Sequence, residues 1–541
     1  MSESDIVTIG DSYTLEFIPL ARYSSAQAIE TYAITDGRQD LLSSVVPISL
    51  ESTALLNDPG AALAHARIRL DLSAYQGQEV RFKWAIDGNE NEVETLLAGV
   101  QLRPTAPREA ESAPDLLLIC SDTHRQDYSV GGKEGHLMPF LHSLSTDDNA
   151  VVYGQAFSTA SWTMPAVASV LTGLFPRYHQ VGQRGAQLSS ADRDRIPAGQ
   201  FAFGEQLFSA YSNSTLSLPE RLQAAGYYTA LVASNPLYFL SDIGLDGNDI
   251  ALDTGVVTGD KVNEKALTLI ASSDRSRPLF LLVHYIDVHQ WEPWYLKTTA
   301  ASRDLDPVDR PAKLRDSYSR AVRDADHHLE ALIEGWRHAR NWDNSLIAFY
   351  SDHGESLLDP DEIADPGALR IGHGNSMSDA LLRIPLMIKY PLSFSASAGD
   401  AAGNVSLVDL APTLLDVAGI NYEASSFSGR SLARLSNDKN NRKLYADFQL
   451  YGTALSSVRR GPYMAIIDLD KNELFLGNWL SGARMEQDSP DRIALGRELQ
   501  ESFESYRQEG TAAVTEHSGA ARQVDQGARR AEQLRSLGYI Q

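Results

Sequence analysis

Short runs dominated by apolar residues limit the fold of this chain more than any other feature: DLLLIC (115–120), YTALVAS (228–234), PLFLLVHY (278–285), SLIAFYS (345–351) and IPLMIKY (384–390). A strand with one wet face alternates apolar and polar residues, whereas one apolar on both faces must be covered from both sides. Between these runs, SLPERLQAAG (217–226) and SYSRAVRDADHHLEALIEGW (317–336) carry apolar residues at helical spacing. Buried strands alternating with amphipathic helices predict an α/β sandwich, a mostly parallel sheet with helices on both faces.

Residues 1–103 have a different texture. Tyr13 to Ile18, Ala66 to Leu72 and Val80 to Ile86 alternate, so that Val80, Phe82, Trp84 and Ile86 would share one face of a strand. This predicts a small N-terminal β-sandwich domain. Its stretch LDLSAYQGQEVRFKWAID is similar to jelly-roll modules appended to carbohydrate enzymes, and a purely structural domain explains it equally well. The proline-rich, charged segment ending at Pro114 reads as a linker over 104–114, before a catalytic domain spanning 115–440. Beyond it, SSVRRGPYMAIIDLDKNELFLGN predicts a β-meander, followed by a helical tail ending in LRSLGYIQ, and 441–541 are expected to complete the catalytic domain. A chain of 541 residues exceeds what one core usually organises, in keeping with more than one domain.

The balance of 47 basic and 71 acidic residues, a formal charge of −24, disfavours nucleic acid and anionic membranes as partners. No run reaches the roughly 18 apolar residues of a membrane-spanning helix, so stable membrane insertion is not expected. The single Cys120 excludes an internal disulfide and a cysteine-rich metal cluster. The opening MSESDIVTIGDSYTLEF lacks a basic and then apolar signal pattern; the expected location is cytoplasmic for a full-length chain, and periplasmic or secreted for a trimmed mature form. Composition does not bear on oligomeric state.

In open α/β sheets ligands bind beyond the carboxyl ends of the strands, so the polar residues there are the first candidates. One strand runs into Ser121-Asp122-Thr123 and another into Ser351-Asp352-His353-Gly354-Glu355. A lone Asp at such a place is often a helix cap or turn residue, but two of them beside a His suit a metal. In SWTMPAVASVLTG, Pro165 and the spacing of Val167, Val170 and Leu171 predict a helix opening just after Thr163. Its positive end would stabilise an anion and an ionised hydroxyl, although a capping role for Thr163 is the plainer alternative. The segments VHYIDVHQWEPW and IGHGNS offer His284, Asp287, His289 and His373 for metal binding, for hydrogen bonds to an oxyanion or for proton transfer. His124 and His179 are further candidates, while His327 and His328 lie in a polar helical stretch and read as surface or packing residues.

Taken in order, Asp122, TMPAV through LTG, HYIDVH, SDHGE, GHG followed by RIPLMI, and VSLVDLAPTLLDVAGI resemble the sulfatase family of the alkaline phosphatase superfamily, over about residues 115–435. VRRGPYMAI and LRSLGYI are weaker echoes. The resemblance implies an alkaline-phosphatase-like α/β/α sandwich. It implies Asp122, Asp352 and His353 as divalent-metal ligands, Thr163 as both ligand and nucleophile, and His289 and His373 as groups that hold the anion or assist the leaving group. Carboxylates with one imidazole suit Zn or Mn, with Ca a further option that His353 disfavours. A second metal at Asp287, His289 and His373, as in two-zinc phosphodiesterases, is the lesser expectation because Asp287 and His289 are too close in sequence.

The departures from the family pattern shape the functional expectation. Sulfatases convert a Cys or Ser in a C/S-x-P-x-R segment to formylglycine, and here the segment is Thr163-Met164-Pro165-Ala166-Val167. A Thr cannot give that aldehyde, Val167 replaces the supporting Arg, and Ser121 replaces the first Asp of the usual pair. An unmodified Thr resembles phosphodiesterases, phosphonate hydrolases and phosphoethanolamine or phosphoglycerol transferases. The expected function is metal-dependent hydrolysis of phosphodiesters or phosphonate monoesters, or phosphoryl transfer, on an anionic ester carried by a carbohydrate or lipid. The alternatives are a sulfuric ester hydrolase lacking formylglycine and a catalytically silent binding protein.

Overall fold

The structure is a computed structural model. It describes strand segments and adjoining residues between positions 2 and 104, and from 113 to 517 all residues except 188–199, 204–205, 210, 212–215, 239–246, 274, 276, 292–309, 359–370, 395–398, 401–402, 435–441, 479–482 and 485–488. Most of the expected linker and the LRSLGYIQ segment lie outside the described residues.

An eight-stranded sheet forms the centre, in the order Ile250–Asp253, Tyr228–Ala233, Leu279–Tyr285, Asp115–Ser121, Ser345–Tyr350, Leu386–Lys389, Ala150–Val152 and Gly399–Asp400. The first five are mutually parallel, and Leu386–Lys389 runs against both of its neighbours. The sheet is thus mostly parallel, as expected, but the run at 384–390 supplies its antiparallel member.

The apolar runs are explained by two cores, one on each face of this sheet. Leu116, Leu118 and Cys120 belong to one cluster, with Met164, Val167, Val170 and Leu414; Leu117 and Ile119 belong to the other, with Leu329, Ile333 and Trp336. Successive residues of one strand therefore enter different cores, and no position is left for alternation. The second core is roofed by the helices Gly259–Ser272 and Arg310–Ala339. On the latter, Tyr318, Val322, Ala325, Leu329, Leu332, Ile333 and Trp336 recur at three- and four-residue spacing and are buried. The helix Leu218–Ala224 is opened by a capping box between Ser217 and Glu220.

In the N-terminal part, Ser2–Thr8, Glu79–Ile86, Ile29–Thr35 and Arg38–Val45 form one antiparallel sheet. Tyr13–Ala21 pairs with Ile48–Ser49, Ile68–Asp71 and Thr95–Pro104 in another. Leu15 of the second sheet shares a core with Ala33, Val80, Phe82 and Trp84 of the first, the arrangement of a sandwich. No helix among the described residues is long and apolar enough to cross a membrane.

The C-terminal meander is antiparallel throughout: Lys443–Ala446, Leu455–Arg460, Tyr463–Asp468, Glu473–Asn478 and Ala483–Arg484. The helix Pro490–His517 packs on it through Leu499, Phe503 and Tyr506. One buried ion pair joins this layer to the segment following the Thr163 helix: Arg177 Nε lies 2.6 Å from Asp447 Oδ2, and its guanidinium rests over the rings of Phe448 and Phe503. Removing one member of a buried pair leaves the other charge uncompensated, at a cost of about 3 kcal/mol or more. Arg177→Ala is expected to lower the free energy of unfolding by about 3 kcal/mol in denaturant titration; an unchanged midpoint and slope would show that the pair does not fasten the two layers.

Candidate active site and metal centre

The register of two adjacent parallel strands places the central carboxylates. Tyr350 lies opposite Cys120, so the residues two beyond each, Asp352 and Asp122, leave the sheet side by side at its carboxyl edge. On the other flank, His284 is opposite Cys120, and Asp122 N donates to Tyr285 O. Asp122, Asp352 and His353 are fully buried and each offers a ligand atom within 4.8 Å of the others.

The network around these groups leaves one oxygen of each carboxylate facing the cluster. Asp122 Oδ2 accepts from Asn235 Nδ2 at 2.9 Å and meets His284 Nε2 at 3.0 Å. Asp352 Oδ1 accepts from the backbone N–H groups of Thr123 and His353. Asp122 Oδ1 and Asp352 Oδ2 are buried without a hydrogen-bond partner. His353 Nδ1 faces Gly354 O at 2.9 Å, which leaves Nε2 toward the cluster, 3.6 Å from Asp122 Oδ1 and 3.5 Å from Asp352 Oδ2. Burial alone would raise both carboxyls; at Asp122 the hydrogen bond from His284 and the charges of His289, His284 and His353 outweigh it and hold the group well below the carboxylate range. Asp352, buried beside that charge, is pushed up.

Two inward-turned oxygens and an oriented imidazole fit a divalent cation. The donor set does not choose among Zn, Mn and Ca.

Thr163 opens the helix Thr163–Thr172, every residue of which is buried. The N-cap is Trp162, so Thr163 is the first helical residue rather than the cap. Its Oγ1 lies 3.3 Å from His353 Nε2. A potential nucleophile, the positive end of a helix and the candidate metal ligands thus share one point. Val167, in place of the family's Arg, is core.

His289 and His373 complete this face of the site. Their rings are 4.9 Å apart, and the ring of His373 is 4.6 Å from that of His353. The loop bearing His373 is shaped by Gly372 and Gly374, with φ of 102° and 72°, conformations open to glycine. Gly374 N donates to Ser161 O and Gly374 O accepts from Tyr451 N, so the loop is tied to the nucleophile segment and to the C-terminal layer.

The second-metal expectation is corrected, and the remaining candidates take structural places. Asp287 does not join His289 and His373: its Oδ1 accepts from Gly259 N at 2.9 Å and pairs with His328 Nδ1 at 3.2 Å, raising the His328 ring above its usual value. The turn after Tyr285 sends Asp287 toward the helices and His289 toward the site, so the second-metal set lacks its carboxylate. His328 is therefore a packing residue, while His327 is exposed. His179 is buried at the far end of the Thr163 helix on Ser169 Oγ, and burial lowers it to about 3. His124, bound to Ser121 Oγ, is lowered by burial to about 4. Both are neutral structural groups. Ser121, engaged with His124, stands outside the metal cluster. Cys120 accepts from Tyr238 in the core, and burial raises its thiol.

Three further contributors to the site were missed or not given the part they play. His284 was expected beyond its strand but sits within Leu279–Tyr285, bonded to Asp122. Asn235, a strand-end residue after Tyr228–Ala233, carries no motif. Glu355, legible as part of SDHGE, meets His373 Nδ1 at 3.3 Å and accepts from Trp291 Nε1 at 3.1 Å. Asp352→Ala removes an anionic ligand from the candidate cluster and is expected to abolish stoichiometric metal in the purified protein, measured by mass spectrometry of the ion; full metal content would reject the ligand assignment.

Comparison with known proteins bears on the family and the fold. The family model described as Sulfatase matches residues 114–420, more than half of the chain. An ulvan-active sulfatase of Formosa agariphila is 20% identical over 351 residues, 57% of this chain and 52% of that protein, so the match spans about half the relative's length. Among solved structures, the phosphonate monoester hydrolase SpPMH from Silicibacter pomeroyi superposes with a TM-score of 0.54 at 16% identity, covering 76% of this chain and all of that one. BT4656, in complex with its substrate D-glucosamine-2-N,6-O-disulfate, gives 0.52 at 15% identity, over 74% of this chain and 98% of the other. At these identities the likeness to the solved structures is one of fold, and the family match over more than half of the sequence adds the lineage: the chain belongs to the sulfatase family of the alkaline phosphatase superfamily.

Proposed function

We propose that the protein is a metal-dependent hydrolase of phosphodiesters or phosphonate monoesters with Thr163 as its nucleophile. The observation that carries this reading is the position of Thr163, at a buried helix N-terminus with Oγ1 3.3 Å from His353 Nε2, in a segment that cannot form formylglycine. Asp122, Asp352 and His353 would hold the cation, joined by Thr163 itself. When bound, the cation activates the hydroxyl and neutralises charge on the ester oxygens. Thr163 Oγ attacks phosphorus in line with the departing oxygen, forming a phospho-threonine as the bond to the leaving group breaks. His289 or His373 gives the departing oxygen its proton, and the other ring holds the phosphoryl oxygens. Water then resolves the phospho-threonine; a second alcohol in its place makes the same site a transferase. The fold shared with SpPMH, a phosphonate monoester hydrolase, supports this reading.

A second reading, hydrolysis of sulfuric esters without formylglycine, draws support from the relative named an ulvan-active sulfatase and from the disulfated glucosamine bound by BT4656. The substrate under either reading is an anionic ester, with a sulfated or phosphorylated carbohydrate as the natural carrier. A silent binding protein would not be expected to keep Asp122, Thr163, Asp352, His353 and His373 converging on one point.

Thr163→Ala is expected to reduce turnover by about a thousandfold or more while the bound metal stays near its wild-type content; normal activity in that variant excludes Thr163 as nucleophile. On matched p-nitrophenyl sulfate, phosphate, phenylphosphonate and phosphodiester, initial rates of the metal-loaded protein are expected to favour the diester or phosphonate by about tenfold, roughly 1.4 kcal/mol. A preference for sulfate would establish the second reading instead.

A further inference from the structure

Resting on the reading that one of the two site histidines assists the leaving group, we infer that Glu355 is the positioning residue that assigns this role to His373 and leaves His289 to hold the anion. Three independent features of the backbone bring Glu355 and His373 together. The short ladder Ser356–Leu357 with Ile371–Gly372 pairs Ser356 with Gly372, so the residues flanking that pair, Glu355 and His373, emerge side by side. Arg125 Nη1 donates to Glu355 O and fixes the main chain there. On the other side, Gly374 N is bonded to Ser161 O, which anchors the loop just past His373.

The Glu355 side chain is buried, with Oε2 shared between Trp291 Nε1 at 3.1 Å and His373 Nδ1 at 3.3 Å. Trp291 is itself buried and has its carbonyl bonded by Ser317, so the carboxylate is held from behind and cannot follow a rotating ring. With Nδ1 directed at Glu355, the Nε2 edge of His373 is the one left to face substrate. Asp287, two residues before His289, is itself engaged by Gly259 and His328. Exposure separates the rings as well: His373 is partly exposed while His289 is buried, so His373 stands on the side from which an alcohol can leave.

In the step so assigned, Thr163 reacts as its alkoxide, the hydroxyl proton having passed to water on activation; the Oγ–P bond forms and the bond from phosphorus to the ester oxygen breaks. The proton on His373 Nε2 passes to that oxygen, which departs as the alcohol.

The test compares ethyl phenyl phosphate with ethyl p-nitrophenyl phosphate, because phenolate needs a proton on departure far more than p-nitrophenolate does. His373→Ala and Glu355→Ala are each expected to lose about tenfold more kcat on the phenyl ester than on the p-nitrophenyl ester, within the range of general acid contributions. Added to His373→Ala, Glu355→Ala is expected to bring no further leaving-group dependence. Glu355→Gln, isosteric and still able to accept from Nδ1–H, is expected to restore most of the selective loss, and it covers the case in which the alanine variant folds poorly. If His373→Ala shows the dependence and both Glu355 variants lose activity equally on the two esters, this inference is overturned and the functional reading stands. Equal losses in His373→Ala itself would overturn the leaving-group role of His373.

Discussion

Two like charges held side by side in the interior, Asp122 and Asp352, are the constraint around which the rest of the site is arranged. Strand register alone puts them there, and a protein interior does not tolerate such a pair without compensation. The surrounding groups answer oxygen by oxygen: Asn235 and His284 at Asp122 Oδ2, the N–H groups of Thr123 and His353 at Asp352 Oδ1. Even Thr123, at φ 57°, is held in a conformation that few residues adopt, which turns its amide toward Asp352. The two remaining oxygens and His353 Nε2 then define a place for positive charge, and Thr163 sits at its border. The same local charge balance gives a helix N-terminus and a hydroxyl a reason to be buried there.

The fold and the site were legible in the sequence to different depths. Strands with both faces buried announce themselves as apolar runs, and Asp115–Ser121, Leu279–Tyr285 and Ser345–Tyr350 were read almost to the residue. Ala150–Val152 and Gly399–Asp400 were not, because segments of two or three residues carry no period and owe their pairing to neighbours. The direction of Leu386–Lys389 was equally hidden, since an apolar run covered on both faces looks the same whichever way it runs.

At the site, residues just past strand ends were readable as a class, and Asp122, Asp352 and His353 came together. Which way a side chain turns within a loop was not readable. Asp287 and His289, two residues apart, diverge because the turn between them alternates sides, and His284 acts from within a strand where a buried histidine resembles core. Glu355 was visible in its motif, but its partner lies across a gap in sequence that only the Ser356 to Gly372 pairing closes.

The two backbone hydrogen bonds at Gly374, its N–H donating to Ser161 O and its carbonyl accepting from Tyr451 N, join three stretches that are far apart along the chain. They imply an order of assembly during synthesis. The carboxylate shelf can form once Asp352 and His353 have emerged, whereas the wall bearing His373 lacks one of its supports until residue 451 has been made. The support from Tyr451 therefore arrives later than the carboxylate shelf by the translation of about a hundred residues, on the order of ten seconds at typical elongation rates.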